Sequence, residues 1–245
     1  MAAVEGAAPH LSVVLPAYNE ETRLPETLAA WHSYLGGQTY AWEIVVADDG
    51  SRDGTADAAD AFASGHPGVR VVRLPANRGK GGAVREGVLA ARGEVILFAD
   101  ADLGIPAEFT RSALAAIDAG ADVATGERSL RRYASEERSV TRLLAGLAVQ
   151  VSRRALWLTF VRDSQCGFKA FRRVAAHEIF RRATINSFAF DIEILYLARR
   201  LGYRVRPFPV EMAFRAGSTF DVRKHLPRFL ADIARVRINA LRGRY

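Results

Sequence analysis

The chain has 245 residues, of which 49% are hydrophobic and 25% charged, with a single cysteine and a formal net charge of +7. These values describe a globular chain long enough to bury a sizeable core, and they exclude a low-complexity array, a disordered tail and a disulfide-stapled scaffold. The charge is unevenly divided: residues 1–125 hold 9 Lys and Arg against 17 Asp and Glu, and residues 126–245 hold 25 against 10, so the basic character belongs to the second half. Such a half either meets something anionic (a nucleic acid, a phosphorylated ligand or an acidic membrane surface) or presents a solvated arginine face. Cys166 fits a reducing, cytoplasmic compartment. The opening "MAAVEGAAPH" lacks the basic stretch and apolar core of a leader. The longest apolar run, "LLAGLAV" at 143–149, is far below the roughly 20 residues of a bilayer crossing.

In chain order, "LSVVLP" predicts a strand that runs into "PAYNE" (Pro16 to Glu20), followed by helical spacing over 22–35. "WEIVVADD" predicts the second strand, ending in "DDGSRDGT" (Asp48 to Thr55) before a helix over 54–64. "VRVVRLP" leads into "NRGKGGA" (Asn77 to Ala83) and a helix over 80–92; "EVILFAD" leads into "DADLG" (Asp100 to Gly104) and a helix over 106–118; "ADVATG" closes the series. Near-continuous apolar strands alternating with single helices predict an α/β fold with a mainly parallel sheet covered on both faces. Ligands in such sheets bind beyond the carboxyl ends of the strands, where these four polar clusters gather.

Each cluster has a physical reading. In "DDGSRDGT", Gly50 permits a tight turn and Ser51 or Asp53 suits the cap of the next helix. Capping leaves the adjacent acids Asp48 and Asp49 unexplained, and one of them is placed to accept hydrogen bonds from a base N–H or ribose hydroxyls. In "NRGKGGA" the glycines open a helix beside Arg78 and Lys80, either as an anion cradle or as a flexible loop; the spacing is not that of a Walker A loop. Asp100 and Asp102, one residue apart beyond a strand, repel each other unless a cation or strong donors stand between them. They suit a hard divalent ion, Mg²⁺ or Mn²⁺, bridging carboxylates to phosphates, or an acidic turn capping the helix after Pro106.

The ordered set "VVLPAYNE", "VVADDGSRDGT", "NRGKGGAVREG" and "FADADLG" resembles the family 2 inverting glycosyltransferases of the GT-A fold. "DSQCGFKAFRR" and "FAFDIEILYLARRLGYRVRPFPVE" resemble the branch that glycosylates dolichyl and polyprenyl phosphates, its β-glucosyltransferases first and its mannosyltransferases next; the resemblance covers roughly residues 11–220. It implies a single GT-A domain over 1–245, with a nucleotide-sugar part at 1–125, an acceptor part at 126–220 and a C-terminal amphipathic helix at 221–245. It places Pro16, Asn19, Glu20, Asp48 and Asp49 at the nucleotide, Lys80 at the donor phosphates, and Asp100, Ala101 and Asp102 at the metal-binding D-x-D. It sets Arg128 against the donor sugar or the acceptor phosphate. Asp163, Gln165 and Lys169 fall on the acceptor side, and Asp191 and Glu193 in an F-x-x-E element. Gly104 stands where mannosyltransferases of the branch carry a glutamine metal ligand, which favours UDP-glucose over GDP-mannose. The Q-x-x-R-W motif of processive synthases is absent from this sequence, and no counterpart of the family's membrane anchor is expected in it.

The implied reaction is metal-dependent transfer of a hexose to a polyprenyl phosphate. An anionic phosphate needs positioning more than a base. A hydroxyl acceptor would need a carboxylate base, Asp163 first and Asp191 second; Asp191 and Glu193 read equally as acids at a helix N-terminus. Cys166, with no histidine near it in sequence, reads as a packing residue. Val140, Leu143, Leu144, Leu147 and Val151 form one helical stripe, and Leu226, Phe229, Leu230 and Ile233, set against Arg228, Arg235 and Arg237, form another. Both suit either a membrane interface, peripheral on the cytoplasmic face, or packing on the sheet. The rivals are a GDP-mannose enzyme, a transferase with a soluble acceptor, a sugar-nucleotide pyrophosphorylase and a basic membrane-surface binding module; nucleic acid is not among the expected partners.

Overall fold

The computed structural model describes residues 8–128, 154, 156, 161–212 and 222–245. The expected elements of the first half form in order: β1 (Leu11–Ala17), α1 (Leu24–Gly36), β2 (Trp42–Asp48), α2 (Thr55–Gly65), β3 (Val69–Arg73), α3 (Lys80–Ala90), β4 (Val95–Ala99), a short 3₁₀ turn, α4 (Thr110–Asp118) and β5 (Val123–Arg128). After these come β6 (Phe168–Arg172), α5 (Arg173–Arg182), α6 (Phe190–Arg200), β7 (Val205–Val210) and α7 (Val222–Leu241). The periodicities are met physically. On α1, Leu24, Leu28, Trp31 and Leu35 recur at helical spacing and are buried, whereas β2 and β4 are buried on both faces and so read as unbroken apolar runs.

The seven strands lie in the order β3-β2-β1-β4-β6-β5-β7. β6 runs antiparallel to both its neighbours, and every other pairing is parallel. Side chains alternate between two cores. Val14, Val45, Ile96, Phe98 and Phe171 face α3, α5, α6 and α7, while Leu11, Val13, Leu15, Ile44, Leu97 and Phe168 face α1 and α4. The chain winds outward from β1 to β3 and then returns to lay β4 beside β1, so the order reverses between β1 and β4 and opens a crevice at their carboxyl ends. Because β6 is antiparallel, with Phe168 opposite Ala99, the segment before it returns to that same edge. β5 brings Arg128 there as well.

Two glycines of α3 set how closely this edge is drawn together. A Cβ on Gly87 would stand 2.5 Å from Val14 Cγ1, and one on Gly81 2.6 Å from the Ile185 carbonyl oxygen. α3 therefore lies hard against β1 and the α5–α6 loop, which delivers Lys80 to the end of β4.

α7 departs from the expected stripe. Phe229 and Ile233 are buried in the core with Val236, while Leu230 is 47% exposed. The apolar residues read as one face belong to two, and the half containing Phe229 and Ile233 packs on the fold. The stripe at 140–151, with Arg142 and Arg153 beside it, lies outside the described residues.

Candidate active site

The ends of β1 and β2 are tied to each other before any ligand is considered. Asn19, held at φ 55°, donates its N–H to Ser51 Oγ at 3.0 Å and accepts the Arg52 N–H on Oδ1 at 2.9 Å. Glu20 receives Arg23 at 2.6 and 2.9 Å, and its own N–H donates to Thr55 Oγ1 at 2.7 Å. Pro16 lies level with Ala47, one step from Asp48. The two acids differ in use. Asp48 accepts the Ser51 N–H at 3.3 Å, whereas both oxygens of buried Asp49 are taken, at 2.8 Å each, by the N–H groups of Arg78 and Gly79. Burial pushes the Asp49 carboxyl above its ordinary value, against those hydrogen bonds and with help from Asp48.

This corrects the reading of the glycine cluster as an open anion cradle. Asp49 is the anion that fills it, and the Gly81 N–H donates to the Asn186 carbonyl at 2.9 Å. The cation remains. Lys80 Nζ lies 2.6 Å from Asp100 Oδ1. Burial works to lower the lysine pKa, but the charges of Asp100, Asp191 and Asp102 outweigh it and hold the ammonium above its ordinary value.

The carboxylate pair projects from the end of β4. The Asp100 backbone is anchored by its N–H to the Gly167 carbonyl at 3.0 Å, and a Cβ on Gly167 would fall 2.1 Å from Asp100 Oδ2. Only a residue without a side chain leaves that carboxylate its place. Ala101 is held through its carbonyl, which accepts the Thr27 hydroxyl at 2.6 Å. Asp102 is exposed and accepts the N–H of Gly104 at 2.8 Å, a local turn that leaves the start of α4 without a side-chain cap. Of the two readings of this motif, the helix cap is therefore the one the geometry does not form. The pair fits a hard divalent ion that arrives with a diphosphate. Among the described residues no group of three or more His, Cys, Asp or Glu gathers to hold an ion unaided, and two carboxylates of one turn suit an ion that keeps its other positions for phosphate oxygens and water.

Arg128, at the end of β5, forms a fork with Asp163: Nε donates to Oδ2 at 2.5 Å, Nη2 to Oδ1 at 2.9 Å, and the Arg128 backbone N–H to Oδ2 at 3.2 Å. Burial of Asp163 works upward, but the guanidinium overrides it and holds the carboxyl below its ordinary value. A depressed carboxylate with both oxygens engaged is a poor proton acceptor at neutral pH, which counts against Asp163 as a general base. The sign of the shift has a stability consequence. The pairing stabilises the fold above the ordinary value of 3.8 and is lost as pH falls through the lower folded value. In urea unfolding of wild type and Asp163→Asn, the difference in unfolding free energy is expected to be constant at neutral pH and to shrink in acid below that value. A difference that does not change with pH would show that the carboxylate is not held by charge. Gln165, two residues after Asp163 in the chain, is half-buried.

The residues expected on the acceptor side divide. Lys169, Asp191 and Glu193 are 0%, 3% and 0% exposed, so none offers a surface to an acceptor. Lys169 lies in β6 between Phe98 and Thr125. Its ammonium donates to Asp191 Oδ1 and to the Cys166 carbonyl. Asp191 is therefore a buried counter-ion, and the direct catalytic role expected of it is corrected. Burial raises its carboxyl, opposed by Lys169 and Lys80. Glu193 accepts the Thr184 and Ile185 N–H groups at 3.0 and 2.8 Å, and the Tyr245 hydroxyl at 2.6 Å. It knits the α5–α6 loop to the C-terminus. Cys166 is buried, its thiol pushed up to about 12 by desolvation, as a packing residue requires.

The sequence reading missed Gly167 and Asn186, which act through their backbone carbonyls, and Thr27 and Asp232, whose side chains reach in from α1 and α7. One signal was present: a lysine inside the strand pattern "FKAF" demands a buried partner, and the acids of "FDIE" were the candidates.

Solved structures share this fold. Glucosyl-3-phosphoglycerate synthase of Mycobacterium tuberculosis, crystallised with Mn²⁺, UDP and glucosyl-3-phosphoglycerate, superposes with a TM-score of 0.67 at 22% identity over 94% of this chain and 79% of the other. Mannosyl-3-phosphoglycerate synthase of Rubrobacter xylanophilus superposes with a TM-score of 0.69 at 18% identity over 97% and 76%. At these identities the likeness is one of fold, and the fold is that of the GT-A glycosyltransferases. More closely related in sequence are proteins named dolichyl-phosphate beta-glucosyltransferase: that of Dictyostelium discoideum is 34% identical over 249 residues, covering 96% of this chain and 76% of its own. The Drosophila melanogaster protein is 40% identical over 210 residues (78% and 63%), and the Homo sapiens protein 38% over 203 (77% and 63%). The chain thus spans 63% to 76% of the length of these relatives. Residues 12–180 match glycosyl transferase family 2, and the chain belongs to that family.

Proposed function

We propose that this glycosyltransferase moves a hexose, glucose first, from UDP-glucose to a polyprenyl or dolichyl phosphate with inversion at the anomeric carbon. The observation that carries the reading is the carboxylate pair Asp100 and Asp102 set beside the Lys80 ammonium at the switch point of a family 2 chain. The chain is read as one domain, with the donor part at 1–125, the acceptor part at 126–220 and a terminal helix at 221–245.

The nucleoside lies along Pro16, Asn19, Glu20 and Asp48, with Asp49 fixing the wall behind it. Mg²⁺ or Mn²⁺, when bound at Asp100 and Asp102, supplies charge neutralisation at the diphosphate. Lys80 adds a positive charge that Asp100 and Asp191 keep protonated. Asp163 holds the Arg128 guanidinium in one orientation, toward the acceptor phosphate, with Gln165 also on the acceptor side. A phosphate oxygen of the acceptor attacks the anomeric carbon as the bond to the UDP oxygen breaks, so UDP leaves and a glucosyl phosphodiester forms. The phosphate is already an anion, and no proton need be removed from it. Among the described residues, the two carboxylates expected as a base are both engaged, Asp163 by Arg128 and Asp191 by Lys169, and this supports a phosphate over a hydroxyl nucleophile. The names of the relatives support the lipid phosphate and the glucose, and the solved neighbours crystallised with UDP support the uridine nucleotide. Among the described residues no helix is long and apolar enough to cross a membrane; a peripheral position on the cytoplasmic face is part of the proposal.

The test is nucleotide release from UDP-glucose, GDP-mannose and UDP-N-acetylglucosamine, each with Mg²⁺ or Mn²⁺, with and without a detergent-solubilised polyprenyl phosphate. UDP released from UDP-glucose only when the lipid is present is the expected result. Lipid-dependent release from GDP-mannose alone would replace the donor, slow release that the lipid does not stimulate would replace the acceptor, and no release under any combination would leave a basic surface-binding module as the better reading.

A further inference from the structure

α7 has more apolar surface than the fold consumes. Its inner face, Phe229, Ile233 and Val236, is buried against α6. A second row, Leu230, Ala234, Ile238 and Leu241, advances by steps of four, four and three residues, which keeps it on one side of a helix. That row faces outward: Leu230 is 47%, Ile238 45% and Leu241 81% exposed, and Ala231 and Ala234 are exposed beside it. A third row, Arg228, Arg235 and Arg242, repeats every seven residues along the edge of that ridge and is exposed. Arg235 approaches Asp232 at 3.6 Å with 63% of its side chain still in solvent.

We infer that this outer face of α7 is a docking surface for an anionic lipid bilayer, the leucine and isoleucine ridge entering the acyl boundary and the arginine row meeting lipid phosphates. The occupant is chosen by charge complementarity. An apolar ridge alone would suit a second protein equally, but one edged along its length by cations at two-turn spacing matches a continuous anionic plane. The inference deepens the proposed lipid acceptor and rests on it for its purpose. Its structural consequence is orientation. From the other side of α7, Asp232 accepts the Ser187 hydroxyl at 2.6 Å, and the neighbouring Asn186 carbonyl holds the Gly81 N–H next to Lys80. The Tyr245 hydroxyl meanwhile donates to Glu193 at 2.6 Å. A helix bedded on the membrane is thus joined through short hydrogen bonds to the segment that presents Lys80, and it fixes the crevice relative to the lipid plane.

The test is sedimentation of the full chain with vesicles of phosphatidylcholine alone and of phosphatidylcholine mixed with phosphatidylglycerol, at low and high salt. Two variants accompany the wild type: Arg228→Gln/Arg235→Gln/Arg242→Gln and Leu230→Glu/Ile238→Glu. Wild type is expected to bind the anionic vesicles and to be released by salt. The arginine variant is expected to bind them on the order of 100-fold more weakly, and the glutamate variant to lose binding, both with unchanged circular dichroism. Equal partitioning of wild type and the arginine variant, or equal wild-type binding to neutral and anionic vesicles, overturns the inference. So does light scattering in which wild type is a dimer and the glutamate variant a monomer, since the ridge would then cover a second copy. UDP release with a short-chain, water-soluble polyprenyl phosphate separates the two proposals. Full release in variants that no longer bind vesicles supports docking, whereas vesicle binding without lipid-stimulated release by any form removes the acceptor and leaves the surface standing.

Discussion

Replacing Asp102 by alanine is expected to lower kcat/KM for sugar transfer by roughly a thousandfold or more while leaving the fold in place. The two halves of this expectation have separate physical grounds. Asp102 is exposed, and its side chain accepts one local hydrogen bond from Gly104, so its removal costs about 1 kcal/mol of stability and for a chain of this size shifts the midpoint of thermal unfolding by no more than about 4 °C. Among the described residues no cluster of three metal-ligating side chains gathers to take over its chemistry. Loss of one of two carboxylates leaves Asp100 alone beside Lys80, which already lies 2.6 Å from it. Nucleotide-release kinetics with titrated Mg²⁺ and Mn²⁺, alongside thermal unfolding, measure both halves. Turnover within about tenfold of wild type would remove Asp102 from the site, and an unfolded variant would show the D-x-D turn to be structural.

The second large effect lies beneath the crevice. Lys169→Met leaves Asp191 buried without its cation, and Asp191→Leu leaves Lys169 without its anion. Each is expected to cost about 3–5 kcal/mol, a large share of the roughly 5–15 kcal/mol available to a folded domain. The double variant Lys169→Met/Asp191→Leu is expected to recover much of that loss, because a buried pair offsets its own desolvation only while both members are present. Recovery is incomplete to the extent that the Cys166 carbonyl loses the ammonium it accepts from. Urea unfolding of the three variants measures this. Single variants within about 1 kcal/mol of wild type, or a double variant no better than the worse single, would show that the two charges do not depend on one another.

What was legible in the sequence follows from how locally each feature is encoded. The βα alternation, the strands buried on both faces and the polar clusters at strand ends depend on residues adjacent in the chain, and β1 to β5 formed where the apolar runs predicted them. Asp100 and Asp102 were legible for the same reason: a strand that ends on two acids one residue apart announces a site wherever the strand is placed. The antiparallel insertion of β6 was not legible. It depends on pairing partners about 70 residues away in the chain, Phe168 with Ala99, and nothing within "FKAFR" records which neighbour it will take.

The same division runs through the candidate site. The sequence by itself determined which residue types are available at the sheet edge and that the second half of the chain is cationic. Only the tertiary structure decided which of those charges are exposed and which are consumed. Asp49 is consumed by the Arg78 and Gly79 amides, Asp191 by Lys169, Glu193 by Thr184, Ile185 and Tyr245, and Asp163 by Arg128, whereas Asp102 stays exposed. The same holds for α7, where a single amphipathic pattern is split between a face buried against α6 and a ridge left in solvent. A one-dimensional pattern specifies that a charge or an apolar side chain must be satisfied. Whether a neighbour in the fold satisfies it or a ligand must do so depends on distances of a few ångströms between segments far apart in the chain, and those exist only once the sheet has closed.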